Sequence, residues 1–225
     1  MSTERAPLAP TGRFDAIVLA GGTSRRMAAP DAESSAQDKT ALTAAGRSLL
    51  DHVLAGLDVQ DARRVVVVGA ARPTVREVRW TREDPPGGGP VAGIAAGLAA
   101  LDDGPEDGPA DVVVTLPADA PFSAGAVPRL IAALPGHDVA LLVDYGGRDQ
   151  LLIAAYGGRA LVRQLSRLSR GPGGEESLQG RPARALVDSL RVVRVIAEGD
   201  EALDCDEPRD LELARRRLGG AHDTG

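Results

Sequence analysis

The chain has 225 residues, a formal net charge of −6, 2% aromatic residues and a single cysteine, Cys205. The negative charge repels a phosphate backbone, and few aromatic rings are available for base stacking, so we expect no nucleic-acid partner. A single cysteine excludes both an internal disulfide and a cysteine-rich zinc cluster. No apolar run approaches the roughly 20 residues of a membrane span, and the first residues lack a signal peptide's apolar segment, so we expect a cytoplasmic protein without membrane contact.

The first half of the chain alternates apolar runs with helical patterns. After a predicted flexible N-terminal arm (1–13), Asp15 to Ala20 is typical of a buried strand, and it ends at a Gly21-Gly22 turn. Leucine and valine recur at helical spacing from Ser48 to Leu57. Further buried strands are predicted at 64–69, 78–82 and 111–116, with an Ala-rich helix at 93–101.

The second half is less regular. A helix containing 131–134 is predicted to start late, because Pro128 lies near its beginning. Residues 139–143 and 150–156 are predicted strands around a Gly146-Gly147 turn. A loop at 171–182, a last strand at 191–196 and a last helix at 210–218 precede a tail (219–225) that we expect to be disordered.

Strands that alternate with helices predict an α/β fold with a mostly parallel sheet covered on both faces. The strands are nearly continuous apolar runs, which is typical of strands buried on both sides. Neither an internal repeat nor a linker interrupts 14–218, so we interpret this range as one domain.

The segment LAGGTSRRM (19–27) follows the first predicted strand directly. In an open α/β sheet, ligands bind beyond the carboxyl ends of the strands. Gly21 and Gly22 would let backbone N–H groups approach a nucleotide, and Arg25 and Arg26 are donors suited to phosphate. The alternative is an ordinary turn with solvated arginines. The segment contains neither the dinucleotide-binding nor the P-loop pattern.

Three further positions carry chemistry. Lys39, beside Asp38 after a small polar loop, could neutralise a triphosphate or simply be a surface lysine. Asp119 lies just past a buried strand between two prolines, where a carboxylate could bind Mg²⁺ or cap a turn. In 204–206 two aspartates flank Cys205, which we interpret as a buried small residue, while Asp210 fits a capping role in the helix that follows.

Five segments in this order resemble the molybdenum cofactor guanylyltransferase family and, more broadly, the MobA-like NTP transferases. The resemblance spans about 14–218 and rests on LAGGTSRRM (19–27), DK (38–39), EDPPGGGPVAGIAAGL (83–98), LPADAPF (116–122) and DCDEPRDL (204–211). It implies a Rossmann-like three-layer α/β/α sandwich of the nucleotide-diphospho-sugar-transferase type. It also implies Mg²⁺-dependent transfer of GMP from GTP to molybdenum-bearing molybdopterin, with release of pyrophosphate.

The resemblance also implies roles for individual residues. The nucleotide-binding set would be Leu19, Ala20, Gly21, Gly22, Lys39, Asp84 and Asp119. Within this set the backbone of 19–21 would hold the base and ribose, and Asp84 would contact the guanosine portion. Lys39 and Asp119 would be catalytic by this resemblance, and we add Arg25 as a catalytic residue by hypothesis, with Lys39 and Arg25 on the β- and γ-phosphates. Asp119 would bind Mg²⁺, while Asp204 and Asp206 would lie near the acceptor or the metal, Asp206 being the second metal ligand that we predict.

Some positions depart from the family pattern and keep alternatives open. Ala28 stands where the family usually has glycine, ten residues rather than about three separate Met27 from Asp38, and Leu151 follows Gln150 where proline is common. The alternatives are a relative that uses CTP or another phosphorylated acceptor, and an inactive nucleotide-binding homologue. The assembly is expected to be a monomer or a small homo-oligomer.

Overall fold

The computed structural model describes residues 14–21, 42–102, 109–170 and 177–220. The predicted arm (1–13) and most of the predicted tail (221–225 of 219–225) lie outside these ranges. No helix in the ranges that the structure describes has the length and apolarity to cross a lipid bilayer.

The described residues form nine strands, five helices and two short 3₁₀ turns. The strands are β1 (Asp15–Leu19), β2 (Thr43–Ala44), β3 (Arg47–Ser48), β4 (Arg64–Val68), β5 (Arg79–Thr81), β6 (Val112–Pro117), β7 (Val139–Val143), β8 (Asp149–Gly157) and β9 (Val192–Ile196). The helices are α1 (Leu49–Val59), α2 (Pro90–Asp102), α3 (Val127–Ala133), α4 (Gly158–Ser169) and α5 (Pro208–Gly219). The 3₁₀ turns are Ser123–Ala126 and Ala183–Leu186.

Seven strands form one sheet in the order β5-β4-β1-β6-β8-β7-β9, and β2 pairs with β3 as a separate hairpin. β5, β4, β1 and β6 are mutually parallel, and β7 is parallel to β9. Among the strands that the structure describes in this sheet, only β8 runs the other way, since it is antiparallel to both β6 and β7. The predicted mostly parallel α/β fold is therefore confirmed, and the carboxyl ends of β5, β4, β1 and β6 meet at one edge.

The sheet is buried on both faces, as its apolar strands predict. On β1, Ala16 and Val18 belong to a core shared with α1 and α3, whereas Ile17 belongs to a second core shared with α2 and α4. A smaller cluster joins α5 to the β2–β3 hairpin and encloses Cys205. The result is the predicted three-layer α/β/α arrangement, with the sheet as the middle layer.

Two helices show how local sequence sets this packing. α1 begins after Ser48, whose hydroxyl accepts a hydrogen bond from the backbone N–H of Asp51 at 3.1 Å, and its apolar stripe is buried as predicted. α2 packs closely on β1, because a methyl group on Gly97 would lie 2.5 Å from Cγ2 of Ile17. This close approach brings the first turn of α2 to the carboxyl edge of the sheet.

The second half agrees with the sequence in most elements and adds one. The 3₁₀ turn Ser123–Ala126 precedes α3, so the helix near Pro128 does begin late. The β7–β8 hairpin, β9 and α5 lie close to their predicted ranges. α4 was not predicted. It begins directly where β8 ends, at Gly157-Gly158, without a separating loop.

Candidate active site

The carboxyl edge of the sheet is held together by backbone hydrogen bonds beyond the ends of the strands. The N–H groups of Ala20, Gly69 and Ala118 donate to the carbonyls of Val68 (2.8 Å), Thr81 (2.9 Å) and Leu19 (2.9 Å), respectively. These bonds link neighbouring strands in the order β5, β4, β1 and β6. The loops that leave these strands therefore start from fixed positions at one edge.

A cleft of about 530 Å³ opens at this edge. Its wall comes from the residues after β1, β4, β5 and β6, from the first turn of α2 and from one residue of β8. Seven of the fifteen lining residues are glycine or alanine, so the backbone is accessible to a ligand at these positions. The lining residues are Leu19, Ala20, Gly21, Val68, Gly69, Ala70, Arg82, Glu83, Gly87, Gly89, Pro90, Gly93, Pro117, Asp119 and Leu152.

The predicted site residues within the described ranges divide into two groups. Leu19, Ala20, Gly21 and Asp119 all line the cleft, so the turn after β1 and the loop after β6 face the same space. Asp84 and Asp206 do not belong to its lining. Gly22, Arg25 and Lys39 lie outside the described residues.

The loop between β5 and α2 takes its shape from Glu83. One carboxylate oxygen of Glu83 accepts a hydrogen bond from the backbone N–H of Gly87 at 3.0 Å, which closes a tight turn. Gly87 and Gly89 have φ of +84° and +86°, values that side chains other than glycine rarely adopt. The backbone N–H of Gly180 donates to the Gly88 carbonyl at 2.9 Å and fixes the loop from outside.

This turn explains why Asp84 does not line the cleft. Asp84 is exposed, and its carbonyl oxygen accepts a long hydrogen bond of 3.5 Å from Gln179 on the outer side of the loop. Arg82 and Glu83 line the cleft instead, and the sequence analysis did not identify them as site residues. The sequence feature that could have identified Arg82 and Glu83 is their position directly after β5, since Gly21 and Asp119 occupy equivalent positions after β1 and β6.

The segment 204–206 reaches Asp119 through the backbone. The N–H of Cys205 donates to the carbonyl oxygen of Asp119 at 3.0 Å, and the Cys205 side chain is completely buried, as predicted. Asp206 is partly buried. Asp210 accepts a hydrogen bond from the backbone N–H of Glu207 at 3.0 Å, which confirms its predicted capping role in α5.

A bulge in β8 supplies the remaining wall of the cleft. Leu141 of β7 is opposite Ala154, but the next residue, Leu142, is opposite Gln150, so residues 151–153 bulge out of the ladder. Leu152, within the bulge, lines the cleft together with Asp119. Bulges redirect side chains and are frequent beside active sites. The sequence carries no signal for this bulge.

The donor set of the cleft fits a hard divalent cation. Asp119, a carboxylate residue, lines the cleft, and Asp206 is one residue beyond Cys205, whose backbone N–H bonds to the Asp119 carbonyl oxygen. The described part of the chain contains no group of three or more His, Cys, Asp or Glu side chains arranged to hold a metal. Mg²⁺ commonly binds through only one or two carboxylates together with substrate phosphates and water. Such a site needs a phosphate-bearing ligand to be complete.

Comparison with known families decides the class of protein. Residues 16–189 match the model of the MobA-like NTP transferase domain. The chain belongs to this family. This MobA-like NTP transferase is a nucleotidyltransferase, with a cleft at the edge of the sheet where α/β folds bind ligands. No curated protein sequence matches the chain significantly.

Solved structures share the fold of this NTP transferase at low sequence identity. A nucleotidyl transferase from Methanothermobacter matches with a TM-score of 0.70 and 20% identity, covering 94% of this chain and 100% of the other. The 2-C-methyl-D-erythritol 4-phosphate cytidylyltransferase from Thermus thermophilus matches with a TM-score of 0.65 and 21% identity, covering 92% of this chain and 99% of the other. The Mycobacterium tuberculosis protein Rv0371c, in complex with manganese, matches with a TM-score of 0.60 and 16% identity, covering 91% of this chain and 98% of the other.

Proposed function

We propose that this NTP transferase moves GMP from GTP to a phosphorylated, molybdopterin-like acceptor and releases pyrophosphate. The observation that carries the proposal is that Gly21 and Asp119 line one cleft in a MobA-like domain. A backbone suited to a nucleotide and a carboxylate suited to Mg²⁺ are the two parts that a metal-dependent nucleotidyl transfer requires.

The strand order supports one orientation of the nucleotide. From β6 to β5 the edge spans three strand spacings, about 14 Å, enough for an extended nucleotide. With the phosphates between Gly21 and Asp119, the base lies towards β4 and β5, beside Gly69 and Arg82. Arg82 has a planar set of donors that can bind the O6 and N7 acceptors of guanine, a chemistry that favours GTP.

The reaction needs charge neutralisation and alignment rather than a general base. An oxygen of the acceptor phosphate attacks the α-phosphorus in line, a new P–O bond forms, and the bond to the bridging oxygen breaks as pyrophosphate leaves. The acceptor phosphate is already ionised, so no proton has to be removed. Lys39 and Arg25 hold the β- and γ-phosphates and stabilise the leaving group. Mg²⁺, when bound by Asp119 with Asp206 as second ligand, supplies Lewis-acid stabilisation of the phosphate charge.

A cytidylyltransferase is the second candidate. One structural relative is named as a cytidylyltransferase, and Asp84, the residue that the family resemblance assigns to guanosine, is outside the cleft lining. Leu151, which stands where the family commonly has proline, lies with Leu152 in the bulge of β8, and Leu152 gives the cleft an apolar wall. An acceptor with an apolar face next to its phosphate would fit this wall.

Thermal unfolding with GTP, CTP, ATP and UTP, each with and without Mg²⁺, tests the choice of base. A ligand that binds the folded state raises the unfolding temperature, and at equal ligand concentration the increase is larger for the ligand with the lower Kd, growing with the logarithm of the affinity. We expect the largest increase from GTP with Mg²⁺, followed by pyrophosphate release when molybdopterin is added. A larger increase with CTP supports the second candidate, and no increase with any NTP rules out both.

Lys39 offers a more local test because it is the only lysine in the chain. Acetylation by an amine-reactive reagent, quantified by mass spectrometry, should slow at Lys39 when GTP and Mg²⁺ are present. The N-terminal amine is the internal control and should react at an unchanged rate. Lys39→Ala should raise the KM for GTP by a factor that corresponds to about 1–3 kcal/mol. Unprotected labelling together with an unchanged KM would show that Lys39 is a surface lysine.

A further inference from the structure

We infer that Glu201 is a positioning residue for the metal site, and this inference rests on the proposed function. Glu201 belongs to the loop between β9 and α5, here called the β9–α5 loop (residues 197–207), which carries Asp204 and Asp206. Glu201 does not line the cleft. It acts by fixing this loop against the segment that follows β6 and contains Asp119.

The Arg129–Glu201 pair joins three parts of the chain: α3, the end of β9 and the β9–α5 loop. Only 9% of Glu201 is exposed. One of its oxygens, Oε2, accepts hydrogen bonds from Nη2 of Arg129 on α3 and from the backbone N–H of Glu198 at 2.7 Å. Nη1 of Arg129 donates to the carbonyl oxygen of Ile196 at 2.9 Å. The Arg129–Glu201 pair therefore clamps the start of the β9–α5 loop onto α3.

A second contact joins the far end of the same loop to the site. The Cys205 N–H donates to the Asp119 carbonyl oxygen, and the Cys205 side chain is buried in an apolar cluster with α5. Between the two contacts, Gly125 of the 3₁₀ turn faces Glu201, because a methyl group there would lie 3.5 Å from Oε1. The loop and the segment from Asp119 to Arg129 thus meet at both ends and in the middle.

This arrangement makes the position of the Asp206 backbone relative to Asp119 depend on Glu201. Without the carboxylate, the loop loses the Arg129–Glu201 pair and the hydrogen bond from the Glu198 N–H, which fix its middle. The backbone hydrogen bonds at its two ends, from Ala197 to Val143 and from Cys205 to Asp119, remain. A group that orients metal ligands from behind commonly changes metal affinity by about 10- to 100-fold when it is removed. The expected consequence is a weaker metal site in a protein that still folds and still binds the base.

Equilibrium binding of Mn²⁺ in the presence of GTP tests the inference without turnover. Free Mn²⁺ is measured by electron paramagnetic resonance for the wild type, Glu201→Gln and Glu201→Ala. We expect about a 10-fold weaker affinity for Mn²⁺ in Glu201→Ala and a smaller loss in Glu201→Gln, with kcat reduced in parallel and the KM for GTP nearly unchanged. Arg129→Lys, which retains the charge on α3, should recover part of the affinity lost in Arg129→Ala.

Asp200→Asn is the matched control. Asp200 lies in the same loop, but its ion pair is with Arg217 of α5, whose side chain is 59% exposed. This variant should bind Mn²⁺ as the wild type does. Wild-type Mn²⁺ affinity in folded Glu201→Gln or Arg129→Ala would overturn the inference, as would an equal loss in Asp200→Asn. If the wild type itself fails to bind Mn²⁺ with GTP, the proposed function fails as well, so the two failures are distinguishable.

Discussion

Two aspartates lie at opposite ends of the parallel strands, and their surroundings differ. Asp15, the first residue of β1, is completely buried, and its carboxylate accepts hydrogen bonds from Arg63, Arg64 and the backbone N–H of Ala110. Asp119 follows β6 at the other end and lines the cleft. The amino end of the sheet is closed by an ion-pair network, whereas the carboxyl end keeps a carboxylate within reach of a ligand.

The pKa of Asp15 shows how complete this closure is. Burial alone raises the pKa of a carboxyl group, but the hydrogen bonds from Arg63 and Arg64, together with the Ala110 N–H, outweigh burial and hold the pKa of Asp15 below its ordinary value of 3.8. Asp15 is therefore ionised in the folded protein at neutral pH. The comparison teaches that aspartates at the two ends of the same parallel strands have different surroundings: Asp15 is enclosed by hydrogen-bond donors, whereas Asp119 lines a cleft.

The largest expected effect is on turnover at the carboxyl end. Asp119→Asn should lower kcat for pyrophosphate release by about 10²–10³-fold, because an amide cannot provide the charge that a Mg²⁺ site requires. The free energy of unfolding should change little, since Asp119 lies at the cleft rather than in the core. Steady-state kinetics and urea unfolding measure the two quantities. Wild-type turnover in this variant would contradict the assignment of Asp119 to the metal.

At the amino end of the sheet, a substitution should lower stability and leave turnover nearly unchanged. Asp15→Asn should lower the free energy of unfolding by about 3 kcal/mol, the lower part of the range for breaking a buried ion pair, because Arg63 and Arg64 can still reach water. Urea unfolding measures this loss. The KM and kcat of the folded fraction should stay close to the wild-type values. A large change in either would mean that the two ends are not independent.

The pH dependence of stability sharpens the same comparison. The folded-state pKa of Asp15 is below the unfolded value of 3.8, so its contribution is fully present above that value and is lost as the pH falls through the folded pKa. The stability difference between wild type and Asp15→Asn should be constant above about pH 5 and should shrink below about pH 4. Urea unfolding over this range measures it. A stability difference that grows on acidification would show that folding raises the pKa of Asp15 rather than lowering it.

The sequence was sufficient for most of the fold because the core consists of strands with nearly continuous valine and leucine. Elements with their own period, such as α1 with its five buried apolar residues, were predicted almost to the residue. α4 was missed although its buried residues from Ala160 to Leu168 recur at helical spacing, because β8 runs into it at Gly157-Gly158 without a separating loop. The hairpin of β2 and β3 is too short to show any period.

The candidate site was predictable where it depends on topology and not where it depends on loop geometry. Gly21 and Asp119 follow adjacent parallel strands, so the strand order alone brings them to one edge. Arg82 and Glu83 line the cleft, whereas the predicted Asp84 does not. The loop that separates them is shaped by the Glu83–Gly87 hydrogen bond, a contact that sequence spacing does not encode. The Leu152 wall depends on a bulge that is visible only in the register of β7 and β8.

The smallest expected effect is on stability, and it distinguishes the contribution of burying an aspartate from the contribution of its ion pair. Asp138 precedes β7 at the same end of the sheet as Asp15 and is also paired with an arginine, since its carboxylate accepts from Nε of Arg191 at 3.1 Å and this bond lowers its pKa. The side chain of Arg191 is 69% exposed, however, so water screens the pair. Asp138→Asn should therefore lower the free energy of unfolding by at most about 1 kcal/mol. If urea unfolding gave a loss equal to that of Asp15→Asn, pairing rather than enclosure would explain the stability of this end, and the contrast with Asp119 would lose its physical basis.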